Sequence, residues 1–93
     1  MLIFVQFDIA QADMALFEEY EDRVLGLLSN HGANIIERLR STDDKHEVHL
    51  LYFPNRGVFD AFRADPARTR LQELWLRCGA STNLTEVRRL REA

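Results

Sequence analysis

Glu47-Val48-His49-Leu50-Leu51-Tyr52-Phe53-Pro54 reads as a single strand stopped by a proline. Successive side chains of a strand alternate, so Val48, Leu50 and Tyr52 share one face. Glu47, His49, Leu51 and Phe53 share the other. A sheet with one wet face is built from strands that alternate apolar with polar residues, and this stretch does not. It reads as a central strand covered on both sides. A chain with little helix needs a partner subunit to supply the second cover.

Upstream, Ala33 to Arg40 reads as a second strand, and Ser41-Thr42-Asp43-Asp44-Lys45 turns the chain back. A loop centred on Asp43 and Asp44 sets Arg40 opposite Glu47, Arg38 opposite His49 and Ile36 opposite Leu51. On the other face Leu39 meets Val48, Glu37 meets Leu50 and Ile35 meets Tyr52. A slip by one residue would set both arginines against Val48 and Leu50. On this reading the Val48/Leu50/Tyr52 side is covered by helices, and the His49 side is open.

Further out, Leu2 to Ile9 is a first strand with Ile3, Val5, Phe7 and Ile9 on one apolar face. Asp13 caps a helix that carries Leu16, Phe17, Tyr20, Val24, Leu27 and Leu28 at helical spacing and ends at Gly32. Glu18, Glu19, Glu21 and Asp22 take its solvated side. Beyond Pro54, Asn55 caps a short helix with Val58, Phe59 and Phe62 inward, and Asp65-Pro66 opens another piece. That piece carries Leu71, Leu74, Trp75 and Cys78 to Gly79, and a last strand runs from Thr82 to Leu90. The order β-α-β-β-α-β predicts a ferredoxin-like α+β fold: a four-stranded antiparallel sheet with its helices on one face. Right-handed crossovers put the first and third strands in the centre. One domain spans residues 1–93.

The composition, 46% apolar and 29% charged, suits a globular chain. A net charge of −3 with dispersed basic residues argues against nucleic acid as a partner. No apolar run has membrane-spanning length, and neither a basic leader nor a cleavage site precedes the first strand, so no signal peptide is expected. The single Cys78 cannot form an internal disulfide, which fits a reducing cytoplasm.

The open face then carries Leu2, Phe4, Ile36, Leu51 and Phe53, with Gln6, Asp8, Arg38, Arg40, Glu47 and His49 among them. Each large apolar group left in water forgoes roughly 1.5–3 kcal/mol of burial. A homodimer packed sheet to sheet removes that cost. The runs His49-Leu50-Leu51-Tyr52-Phe53-Pro54-Asn55 and Phe59-Asp60-Ala61-Phe62-Arg63-Ala64-Asp65-Pro66 resemble small stand-alone members of the dimeric α+β-barrel superfamily. Those members share a strand ending in Phe-Pro, a short Ala-Phe helix and an Asp-Pro before a second helical piece. The resemblance implies kinship with antibiotic-biosynthesis monooxygenases, EthD-like proteins, haem-degrading enzymes and muconolactone isomerase-like proteins. No catalytic motif of those branches matches this chain residue by residue.

Candidate chemistry centres on His49. Glu47 lies two residues away on the same face and is able to orient it as a general base, beside Arg38. The competing reading is a polar cross-strand ladder that fixes register. His46 and His49 point to opposite faces, so no metal site is expected from them, and no cofactor is called for. His31, beside a helix-ending glycine, reads as exposed. Tyr20, Tyr52 and Trp75 are candidates to line a ligand pocket between sheet and helices, where the resembling enzymes often have one. Two functions stay open. One is a small-molecule-binding or accessory module; the other is a cofactor-independent monooxygenase, isomerase or cyclase-like enzyme acting on a small aromatic or polyketide-like molecule.

Overall fold

Asp13 starts the first helix by accepting the Leu16 N–H on its side chain. The computed structural model describes residues 1–91, and the last two residues of the expected domain lie outside them. From Asp13, α1 runs Met14–Leu25 and turns Phe17, Tyr20 and Glu21 inward. It is shorter than its apolar spacing predicts. The helix stops at Gly26, a 3-10 turn covers Leu28–His31, and Gly32 closes it with a φ of 65°.

Four strands, β1 (Leu2–Asp8), β2 (Asn34–Arg40), β3 (His46–Tyr52) and β4 (Ser81–Val87), form one antiparallel sheet in the order β2-β3-β1-β4. The two strands that read as apolar on both sides are the central pair. β4 ends at Val87, so the expected continuation to Leu90 falls outside the strand. Between β3 and β4 the chain makes α2 (Arg56–Arg63), α3 (Pro66–Thr69) and α4 (Gln72–Cys78). Asn55 and Asp65 cap the first two, accepting from Val58 N–H and Ala67 N–H. Gly79, with a φ of 78°, ends α4. The element order, topology and layering are those of a ferredoxin-like α+β fold.

The two faces are the reverse of the expectation. Glu47, His49, Leu51 and Phe53 are buried together with Ile3, Val5 and Phe7, on the side that the helices cover. Val48 and Leu50 are half-buried and Tyr52 is exposed, on the outer side with Leu2 and Phe4. Phe53 is fully enclosed, with Phe59 and Phe62 ring centroids at 5.1 and 5.4 Å. The reason lies in the charged groups. They neutralise one another beneath α1 rather than in water, so a polar face here is not an open one.

The hairpin register holds for Arg40–Glu47, Leu39–Val48, Arg38–His49 and Glu37–Leu50. It then shifts by one, pairing Ile35 with Leu51 and Asn34 with Tyr52, because a bulge falls between Ile35 and Glu37. The expected Ile36–Leu51 and Ile35–Tyr52 pairs are therefore absent.

Candidate functional site

β3 delivers Glu47 and His49 to the inner face, and α1 lowers Glu21 onto them. Glu21, Glu47 and His49 are the three buried polar or charged residues among those described. Nε2 of His49 lies 2.6 Å from Oε2 of Glu47, and Nδ1 lies 3.6 Å from Oε2 of Glu21. From β2, Arg38 Nε donates to Oε2 of Glu47 at 3.1 Å and Arg40 Nε donates to Oε1 at 2.9 Å. Both guanidinium groups also bond Glu18 on α1, which ties the edge strand to the helix.

These neighbours set the protonation states. Burial alone raises the Glu47 carboxyl, but hydrogen bonds from His49 and Arg40, with the Arg38 charge, hold it below the usual carboxylate range. Burial pushes His49 down, and outweighs the pull of Glu47 toward the cation. Glu21 is pushed up to about 8, by burial first and by the Glu47 charge second. Near neutral pH the cluster is thus a neutral Glu21, a neutral His49 and an ionised Glu47. With Glu47 as acceptor, His49 carries its proton on Nε2 and turns the Nδ1 lone pair toward Glu21.

A cavity of about 140 Å³ opens beside this cluster, between sheet and helices. Phe7, His49 and Leu51 line it from the sheet, and Tyr20, Glu21 and Trp75 from the helices. The Trp75 ring lies 5.0 Å from Tyr20 and 6.1 Å from Phe7, and Phe7 lies 4.9 Å from the His49 ring. Burial raises the Tyr20 hydroxyl above its ordinary pKa. Arg63, Gln72, Thr82 and Leu84 also line the cavity and are exposed, so the mouth lies toward β4, the edge strand opposite β2.

His49 and Trp75, expected at two alternative places, face one cavity. Glu47 reaches it through His49. Tyr20 also lines it. Tyr52 does not, since it stands on the outer face of the sheet. Arg38 binds Glu47 and Glu18 at the side of the cluster, outside the cavity lining. His31, expected to be exposed, bonds Asp65 at 2.8 Å in a partly buried pair, and that bond holds Asp65 below the usual carboxylate range. Cys78 is buried and its thiol donates to the Trp75 carbonyl.

Sequence reasoning missed Glu21, read there as part of a solvated acidic side. A signal for it exists. Phe17, Glu21, Val24 and Leu28 follow the i, i+4, i+7, i+11 spacing of one helix face, so the carboxyl stands within the apolar stripe. Ligand-capable atoms of Glu21, Glu47 and His49 lie within 4.8 Å of one another, a spacing open to a cation. Both Glu47 oxygens, however, are already taken by Arg38, Arg40 and His49, and two guanidinium charges oppose another positive ion.

Among solved structures, SnoaB, a cofactor-independent oxygenase from Streptomyces nogalater, superposes with a TM-score of 0.70. The match covers 96% of this chain and 94% of that one at 18% identity. An antibiotic biosynthesis monooxygenase matches at a TM-score of 0.62, over 96% of this chain and 100% of that one, at 18% identity. A NIPSNAP domain protein from Burkholderia xenovorans matches at 0.64, over 100% of both chains, at 12% identity. The fold shared with these structures is the ferredoxin-like α+β fold. No protein-family model matches the chain, and no curated protein matches it significantly in sequence. At these identities the likeness to the α+β-barrel proteins is one of architecture.

Proposed function

We propose that the chain is a homodimeric small-molecule-binding module of the cytoplasm, holding a mostly apolar ligand in the cavity beside Trp75. The observation that carries this reading is the cavity itself: apolar walls around a buried acid, one of whose oxygens, Oε1 of Glu21, has no hydrogen-bond partner among the described residues. Its volume of about 140 Å³ is close to that of an apolar cavity of about 150 Å³ that takes up benzene. A single ring fits inside. A fused polyketide-like ring system would have to extend through the mouth.

The dimer rests on the outer face, where Leu2, Phe4, Val48, Leu50, Tyr52 and Val87 form a band that no described helix covers. A second copy laid sheet to sheet would cover it. The free, buried Cys78 is compatible with a reducing compartment. No described helix is long and apolar enough to cross a membrane.

Titration with toluene, followed through the fluorescence of the sole tryptophan, tests the reading. Saturable quenching in the wild type that is abolished by filling the cavity supports it. No saturation with any one-ring compound overturns it.

The Glu21–His49–Glu47 arrangement favours one catalytic alternative. An acid that keeps its proton and a neutral imidazole beside one cavity suit proton transfer within a ligand. His49 would take a proton at Nδ1, and Glu21 would give one to a carbonyl oxygen, as in an isomerase. Among the relatives by fold, SnoaB is described as a cofactor-independent oxygenase. Solvent deuterium appearing in a bound carbonyl compound, and lost in His49→Gln, would establish this activity; its absence across ligands that bind would leave the module as a binder.

A further inference from the structure

Two residues that line the cavity each carry a buried polar atom that nothing among the described residues satisfies, and together they specify its ligand more narrowly than size does. Oε1 of Glu21 is one, and Nε of Arg68 is the other. Both residues line the same cavity. Glu21 is 1% exposed, so its free oxygen has no recourse to bulk water. Arg68, just after the Asp65-Pro66 break, is held over the Phe62 ring at 5.6 Å, and its Nη1 has only a long 3.4 Å contact to the Arg63 carbonyl. A buried donor and a buried carboxyl oxygen left without partners each cost about 1–3 kcal/mol. A ligand that meets both recovers this.

We infer that the cavity is built for a monocyclic hydroxy acid, whose carboxylate is met by Arg68, whose ring lies among Phe7, Tyr20 and Trp75, and whose hydroxyl is met by Glu21. This rests on the small-molecule reading above and narrows it. An arginine is the side chain suited to a carboxylate, through charge and paired N–H groups. A hydroxyl suits Glu21 because it both donates and accepts, whichever oxygen of the acid holds the proton. Glu21 keeps its proton near neutral pH, so it does not repel an anionic ligand. The other charged groups about it are Glu18 and Asp22 on its own helix, Glu47 on β3 and Arg38 on β2. None of these four lines the cavity.

The test compares 4-hydroxybenzoate, benzoate and toluene by calorimetry on the wild type, Arg68→Met and Glu21→Met. In the wild type 4-hydroxybenzoate binds tightest and toluene weakest, each step about tenfold, the scale of one hydrogen bond to a charged or buried group. Arg68→Met removes the preference for benzoate over toluene and keeps that for the hydroxyl. Glu21→Met does the opposite. Should either variant fail to fold, the wild-type ranking decides alone. Toluene binding as tightly as 4-hydroxybenzoate overturns the hydroxy-acid inference and leaves the apolar-ligand reading standing. If none of the three binds, both fall.

Discussion

Glu47 and His49, neighbours on one face of β3, are joined directly, with Oε2 and Nε2 2.6 Å apart. Their alpha carbons are separated by about 7 Å along an extended chain, so the two side chains lean together. The bond fixes the imidazole tautomer and leaves Nδ1 as the free lone pair. What matters for function is that this lone pair faces a second acid, Glu21, at 3.6 Å, on the helix that covers the sheet.

Stability should fall as pH rises from 6.5 to 8 because of Glu21. Its pKa is raised from 4.5 to about 8 in the folded chain. Unfolding in this window therefore releases a proton that the folded chain holds, and the stabilisation present at low pH is lost as pH climbs toward 8. His49 and Glu47 have lowered pKa values, so their contributions are lost only as pH falls, below the ordinary histidine and carboxylate ranges respectively. Urea unfolding should show a loss of about 1.5 kcal/mol between pH 6.5 and 8, within the limit of about 1.4 kcal/mol per pH unit for one proton. Glu21→Gln should flatten that slope. A wild-type protein equally stable at both pH values would show that Glu21 is not buried as a neutral acid.

Arg38 and Arg40 should matter to stability far more than exposed charges do. Removing either as methionine takes away hydrogen bonds to a carboxylate whose side chain is only 2% exposed, worth about 1.5–3 kcal/mol. Removing both leaves that charge without its guanidinium partners, at about 3–5 kcal/mol. Glu47→Gln in the double variant should restore part of the loss. Denaturation midpoints for the four variants and the wild type decide the matter, and a double variant as stable as wild type would mean that Glu47 is solvated.

Lysine at two adjacent positions of β3 should have opposite consequences. Leu50 points to the outer face opposite Phe4, whereas Leu51 is 7% exposed beneath the helices. Leu50→Lys should yield a folded monomer in sedimentation, and Leu51→Lys an unfolded or aggregated chain. A Leu50→Lys protein that still sediments as a dimer would place the subunit contact elsewhere.

Thr82 offers a way to close the cavity without touching the buried cluster. It is exposed on β4 and lines the cavity with Leu84. Thr82→Trp should leave the unfolding midpoint within about 0.5 kcal/mol, as surface changes usually do, while it abolishes binding of one-ring compounds. Retained affinity would show that ligands enter from another side.

The strand order and most of the hairpin register could be read from local patterns, because turn chemistry and apolar alternation act over a few residues. The facing could not. Arg38, Arg40, Glu47 and His49 carry the composition of a wetted surface, and nothing in β2 or β3 alone reports that Glu18 and Glu21, from another element, descend to meet them. The caps at Asp13, Asn55 and Asp65 were legible for the reason that the facing was not: each donor lies two or three residues from its acceptor. The pairing of Glu47 with His49 was visible by spacing. Its union with Tyr20 and Trp75 around one cavity depended on the facing.

The bulge at Ile36 gives β2 an unusual intolerance. A strand counts in twos, and Ile35 at one end and Arg38 and Arg40 at the other face the same inner side only because the count is reset between them. Edge strands ordinarily absorb the gain or loss of a residue with little harm. Here the loss of one residue between Ile35 and Glu37 would turn either the isoleucine or both arginines outward. In the second case Glu47 would be stripped of its counter-charges, and the acid that orients His49 would take up a proton instead. Lineages descended from this chain should therefore vary β2 by substitution and hardly ever in length.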